Sequence, residues 1–167
     1  MKLALSIVFV FVVNCVGASA QSAPDFSGTW AMDLSRSEAA AQGTPIGPVT
    51  VVIRQAPGEV NIETTRNGHT EAVRYLPASA KPTAAAGDVL GAFSWNGDKL
   101  VTRLVTDINK QAITVEEVRS LNATGKEMTV ELMLVVEHGY QSGGTGLVRS
   151  QNSPNTSKGV NVFVKQP

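Results

Sequence analysis

An all-β fold, an eight-stranded antiparallel up-and-down barrel with a short ninth C-terminal strand, is the class that this 167-residue sequence predicts. Three observations lead there. Apolar and polar residues alternate at the two-residue period of a half-buried strand in segment after segment. Several of these segments are joined by dipeptides such as Asn67-Gly68 and Asn96-Gly97, which tolerate the positive φ angles of a tight hairpin. Where the links are longer, Gly and Pro interrupt them before a helix of any length can form.

The first strand is expected at 26–34, opening Phe26-Ser27-Gly28-Thr29-Trp30, and a surface loop rich in Ala, Gly and Pro follows at 35–48. In 49–55, Val49, Val51 and Ile53 share a face, and Pro57-Gly58 then turns the chain. In 59–66, Val60, Ile62 and Thr64 take one face while Glu59, Asn61, Glu63 and Thr65 take the other. Asn67-Gly68 pairs that strand with 69–76. A second long loop covers 77–87, strand 88–95 ends at Trp95, and Asn96-Gly97 leads into 98–106. A turn near Asn109 leads to 111–121, and Asn122-Ala123-Thr124-Gly125 to 126–137. Met128, Val130, Leu132, Leu134 and Val136 make the clearest apolar face in the chain. Residues 138–158, rich in Gly, Ser and Asn, read as a loose connection to the ninth strand at 160–164, expected to lie beside the first. Links of hairpin type favour a sequential meander, and eight such strands close on themselves without leaving an edge.

The first twenty residues stand apart from this pattern. Lys2, the apolar run Leu3 to Val13 and Ala18-Ser19-Ala20 make a secretory signal peptide, too short to span a membrane as a helix. Residues 1–20 are therefore expected to be removed, leaving 21–167 as a single β-barrel domain in the periplasm or outside the cell. Lipid attachment at Cys15 is the competing reading, opposed by Asn14 where a small residue is wanted. Cleavage after Ala20 leaves about 147 residues and no cysteine, so the core must hold without disulfides. Removing Lys2 leaves one acidic residue in excess, with no basic stripe for a nucleic acid and no basic amphipathic helix for a membrane surface. No integral membrane segment is expected after cleavage.

The Phe26-Ser27-Gly28-Thr29-Trp30 element resembles the opening of the lipocalin-like (calycin) β-barrels. That resemblance implies that Trp30 lies across the closed end of the barrel, that loop 35–48 lies over the open mouth, and that an Arg packs on the Trp. Arg149 and Arg119 are the candidates for that Arg. The family's second motif has no counterpart between strands six and seven, where Thr106-Asp107-Ile108-Asn109 stands. Its helix before the last strand has none among Gly139, Gly143, Gly144 and Gly146. The chain is also similar to small exported bacterial proteins of unassigned function that begin with the same Gly-Thr-Trp element, a likeness that carries no mechanism.

Strand 111–121 holds the main irregularity. Strict alternation places Glu117 and Arg119 on one face with Ile113, Val115 and Leu121. If that face is interior, the two charges form a buried pair offered to a polar head group, and burying them costs several kcal/mol each unless they are paired. A β-bulge near Glu116-Glu117, which returns both to solvent, is the more economical expectation. Tyr75, Phe93, Trp95 and Tyr140 stand near strand ends and suit the rim of a ligand pocket, although filling the core is the commoner use of such rings. His69 shares a strand face with Glu71, and His138 opens the glycine-rich segment. Two such ligands do not make a zinc site, and solvated or core histidines are the plainer reading.

Catalysis lacks a foothold. There is no Cys nucleophile after cleavage and no Gly-x-Ser-x-Gly elbow, and Ser142-Gly143-Gly144 lacks the Lys of a phosphate loop. Glu116 and Glu117 are neighbours in a strand and point to opposite faces. No enzyme activity, cofactor or metal is expected. The expected function is binding of a small apolar or amphipathic ligand, with Tyr75, Phe93, Trp95, Glu117, Arg119 and Tyr140 as its candidate contacts. A cavity lined by Val51, Ile62, Val73 and Leu132 would favour this reading. The alternative is a ligand-free, filled barrel acting as an envelope or extracellular interaction module through 138–158, its protein partner unspecified.

Overall fold

The computed structural model describes residues 23–38, 47–80, 88–108, 111–136 and 155–167, with the backbone alone for Asp107, Ile108, Gln111 and Asn155. The expected signal peptide, His138, Tyr140, Arg149 and most of the expected 138–158 connection lie outside the described residues. Nine strands close into one barrel in sequence order: β1 Gly28–Met32, β2 Val49–Ala56, β3 Glu59–Arg66, β4 His69–Pro77, β5 Leu90–Asn96, β6 Lys99–Ile108, β7 Gln111–Leu121, β8 Glu127–Val136 and β9 Asn155–Lys165. Among the described residues no helix is long and apolar enough to cross a membrane.

The expected eight-stranded, fully antiparallel barrel is corrected in two linked ways. The ninth strand is not short: it runs eleven residues and pairs along β8 from Glu127↔Val164 to Val136↔Asn155, while also closing onto β1 through Trp30↔Lys165. Asn155 to Gly159 carry little strand preference, but the free edge of β8 supplies hydrogen-bond partners, and sheet context overrides intrinsic propensity. With nine strands in a ring, direction cannot alternate all the way round, so one neighbouring pair must be parallel. That pair is β4–β5, where Arg74–Pro77 lie beside Leu90–Phe93. A parallel link needs about a dozen residues to travel back along the strand, and Ala78 to Val89 supplies that length.

Turn chemistry follows the sequence closely. Asn67 and Gly68 adopt φ of 51° and 78°, the paired positive angles of a two-residue hairpin loop. The turn expected at Asn96-Gly97 falls one residue later, with Asn96 paired to Lys99. The expected loop 35–48 is not featureless: Leu34–Arg36 form one 3₁₀ turn capped by Asp33, and Glu38 bridges to Val160.

The base of the barrel is the end with the turns between β2 and β3, β5 and β6, and β7 and β8. Trp30 and Phe26 are both wholly buried there, and the Trp30 indole N–H donates to the Phe26 carbonyl at 2.9 Å. Phe26 also lies 6.1 Å from the Trp95 ring, and Phe93 meets Trp95 edge-on at 6.4 Å. Among the described residues, the cation over Trp30 is Lys165 of β9, its Nζ 5.2 Å from the ring centroid, and not Arg119, one of the two arginines suggested by the resemblance. Gly28 makes this possible. Its φ of 133° is one that side-chain-bearing residues rarely adopt, and a Cβ there would sit 2.7 Å from Lys165 Cε.

Two substitutions probe this base. Trp30→Ala is expected to cost about 3–5 kcal/mol, read from the urea unfolding midpoint, and a near-wild-type midpoint would contradict the structural role of Trp30. Gly28→Ala is expected to cost about 1–3 kcal/mol through backbone strain and to displace Lys165, which the same titration checks against Thr29→Ala as an exposed control.

Candidate functional site

The registers of β6, β7, β8 and β9 fix which side chains face inward. One row of neighbours is Leu100, Arg119, Val130 and Asn161; the next is Phe93, Thr102, Glu117, Leu132 and Gly159. Pairing runs unbroken from Leu100↔Arg119 to Ile108↔Gln111, so the expected bulge near Glu116-Glu117 is absent and both charges stay inside. The economical expectation fails because the pair is stabilised where it lies. Arg119 Nη2 donates to Glu117 Oε2 at 2.5 Å and Nη1 donates to the Thr102 hydroxyl at 2.6 Å. Arg119 is only 3% exposed, and the Glu117 side chain 25%.

This cluster separates two kinds of interior. Towards the base, Ile53, Val60, Leu100 and Met128 are buried with Trp30 and Phe26. Towards the mouth, the inward-facing Leu104, Ile113, Val115, Leu132, Leu134 and Val136 are only half-buried. At the boundary lies a cavity of about 60 Å³ bordered by Glu117, Arg119 and Asn161 together with Val51, Val130 and Leu132. That is room for roughly two water molecules or one small polar group. Val51 and Leu132 thus line it as expected, whereas Ile62 is packed in the core and Val73 packs against it. Two buried polar atoms at this boundary have no hydrogen-bond partner among the described residues: Arg119 Nε and Asn161 Oδ1.

Tyr75 reaches the same cluster from β4. Its ring lies over the backbone of Gly91, where a Cβ would come within 2.4 Å of two ring carbons. Burial, and then the nearby Glu117 charge, push the phenol up to about 12, against the opposing effect of Arg119 and Thr102. The candidate contacts therefore divide. Glu117, Arg119 and Tyr75 come together, Phe93 and Trp95 belong to the aromatic base, and Tyr140 lies outside the described residues. His69 and Glu71 do share a face, 3.8 Å apart and 79% and 77% exposed at the mouth.

Thr102 and Asn161 were missed by sequence reasoning. Thr102 was detectable in principle as the cross-strand partner of Glu117, once the register was known. Asn161 was hidden by Val160, Val162 and Val164, which look like the inner face of β9 but point outward, while Asn161 and Phe163 point in.

No family model and no curated protein matches this sequence. Among solved structures, the chain is similar to apo lipid binding protein 8 of Caenorhabditis elegans, with a TM-score of 0.49 and 10% identity over 84% of this chain and 95% of that one. It is similar also to an abundant heat soluble protein from Ramazzottius varieornatus, with a TM-score of 0.43 and 7% identity over 84% and 94%. A third neighbour is the zebrafish ileal bile acid-binding protein complexed with cholic acid, with a TM-score of 0.42 and 10% identity over 84% and 98%. The chain itself forms a closed β-barrel, as the Gly28-x-Trp30 element implies.

Removing one partner of the inner pair should be costly. Arg119→Ala strands Glu117 inside the barrel and is expected to cost about 3–5 kcal/mol, while Arg119→Met combined with Glu117→Leu recovers most of it, both measured by urea unfolding. The raised Tyr75 value also carries a signed pH dependence. A phenol harder to ionise when folded contributes stability that is fully present below pH 10 and lost as pH rises towards about 12, on the order of 2–3 kcal/mol. Tyr75→Phe should flatten the wild-type stability curve across that alkaline window.

Proposed function

We propose that the protein is an exported binding barrel, periplasmic or secreted, that holds a small amphipathic molecule in its upper half without transforming it. The apolar part lies against Leu104, Val115, Leu134 and Val136, and the polar end reaches down to Arg119 and Asn161. One observation carries this reading: most of the inward-facing side chains are buried from the base up to Arg119 and those of β6, β7 and β8 are half-buried above it, with a buried N–H at the boundary that has no partner among the described residues. Ligand sites combine apolar walls with a few placed polar groups in this way. The inward-facing Gly159, beside Leu132, adds to the reading because glycine within a strand suits close approach of a ligand. The signal-like residues 1–20 support export. A wholly filled interaction module fits the lower half of the barrel but not the upper.

Filling the upper half tests the reading. The exported wild-type protein should carry an adduct in native mass spectrometry that is lost on denaturation, and should brighten the neutral dye Nile red. Leu134→Trp should abolish both while keeping the unfolding midpoint within about 1–3 kcal/mol of wild type. A wild-type chain that is bare and dark to Nile red would overturn the proposal.

A further inference from the structure

Resting on that binding reading, we infer that the group received at Arg119 is uncharged and both donates and accepts hydrogen bonds, as an alcohol or a primary amide does, and is not a carboxylate or an amine.

The guanidinium has already committed part of its donor capacity. Of its five N–H donors, one is given to Glu117 and one to Thr102, while Nε is buried and without a partner among the described residues. The Glu117 carboxylate borders the same cavity and offsets the Arg119 charge at 2.5 Å. A carboxylate arriving at Nε would therefore meet an anion beside a cation already paired, in a low-dielectric site where like charges disfavour each other strongly. An ammonium fares no better, because it has three donors and no acceptor to offer Nε–H.

A hydroxyl or amide matches both open valences. Its oxygen accepts from Arg119 Nε–H, and its own proton donates towards Asn161 Oδ1, the other buried and unpartnered atom on the cavity wall. Turning the Asn161 amide over exchanges its acceptor for a donor, which a group of mixed character also satisfies. The remaining charge bordering the cavity is Arg66, an exposed residue at the mouth where water screens it. The cavity of about 60 Å³ suits a polar terminus of this size, with the rest of the molecule in the half-open apolar region above.

The test compares 1-decanol with decanoate, equal in chain length and different in head group, at one neutral pH. Affinity is read by Nile red displacement, and the site by the Arg119 Nε–H signal in ¹⁵N-resolved NMR. Decanol should bind at least about tenfold more tightly, a difference of about 1.4 kcal/mol, and should shift that signal. Glu117→Gln, which keeps the shape of the side chain, should narrow or reverse the preference. If it fails to fold, the wild-type comparison decides alone. Decanoate binding as tightly as decanol would overturn the inference and leave the binding reading standing, as would displacement by decanol with Arg119 Nε–H unmoved. A barrel dark to Nile red and indifferent to both molecules would overturn the two together.

Discussion

A guanidinium inside a β-barrel is tolerable only when its charge is matched and its N–H groups find acceptors, since burial without them costs several kcal/mol. Arg119 has its charge matched by Glu117 and part of its hydrogen-bonding demand met by Glu117 and Thr102, and much of the interior is arranged around the pair. Glu117 must share its face, which rules out a bulge in β7, and Thr102 must stand opposite on β6. Tyr75 closes the fourth side from β4. Apolar side chains cannot pack tightly against such a cluster from both directions without sealing an unpartnered donor in hydrocarbon. The solid core therefore lies on one side of it and the half-open space on the other.

Strand β9 connects that cluster to the closure of the barrel. Its insertion between β8 and β1 raises the strand number to nine, and the parity of the ring then forces β4 and β5 to run parallel. The same strand delivers Lys165 onto Trp30 at the base and Asn161 to the cavity wall, four residues apart and on one face. A one-residue slip of β9 would turn both outward and bring Val160, Val162 and Val164 in. Phe163, buried between those two positions, and Gly28, which leaves room for Lys165, hold the register.

Much of the fold was legible because period-2 alternation and turn dipeptides are local signals. Val60, Ile62, Asn67-Gly68 and the even-numbered apolar residues of β8 each declare a face or a reversal within a few residues. The length of β9 was not legible, because Asn155 to Gly159 become strand only through the edge that β8 offers. Nor was the parallel pair, since it follows from the total number of strands and from no residue in β4 or β5. At the site, alternation placed Glu117 and Arg119 together correctly. Economy then argued for a bulge, because the Thr102 hydroxyl that helps make the buried pair affordable comes from another strand. Asn161 was obscured by three valines on the wrong face.

Stability and the proposed binding thus fall to different ends of one sheet. At the base, Trp30, Phe26 and the aliphatic side chains around them are buried, and each contact there contributes dispersion and burial energy. Above Arg119 the inward-facing valines and leucines forgo part of that gain, since a wall without neighbours loses those contacts outright. A sequence selected for stability alone would fill this space, and larger side chains at Val115 or Leu134 would do so without altering the fold. Leaving it unfilled while keeping a polar group buried at its floor sacrifices stability twice at one place, and strain or incomplete packing that persists in this way is characteristic of sites retained for function.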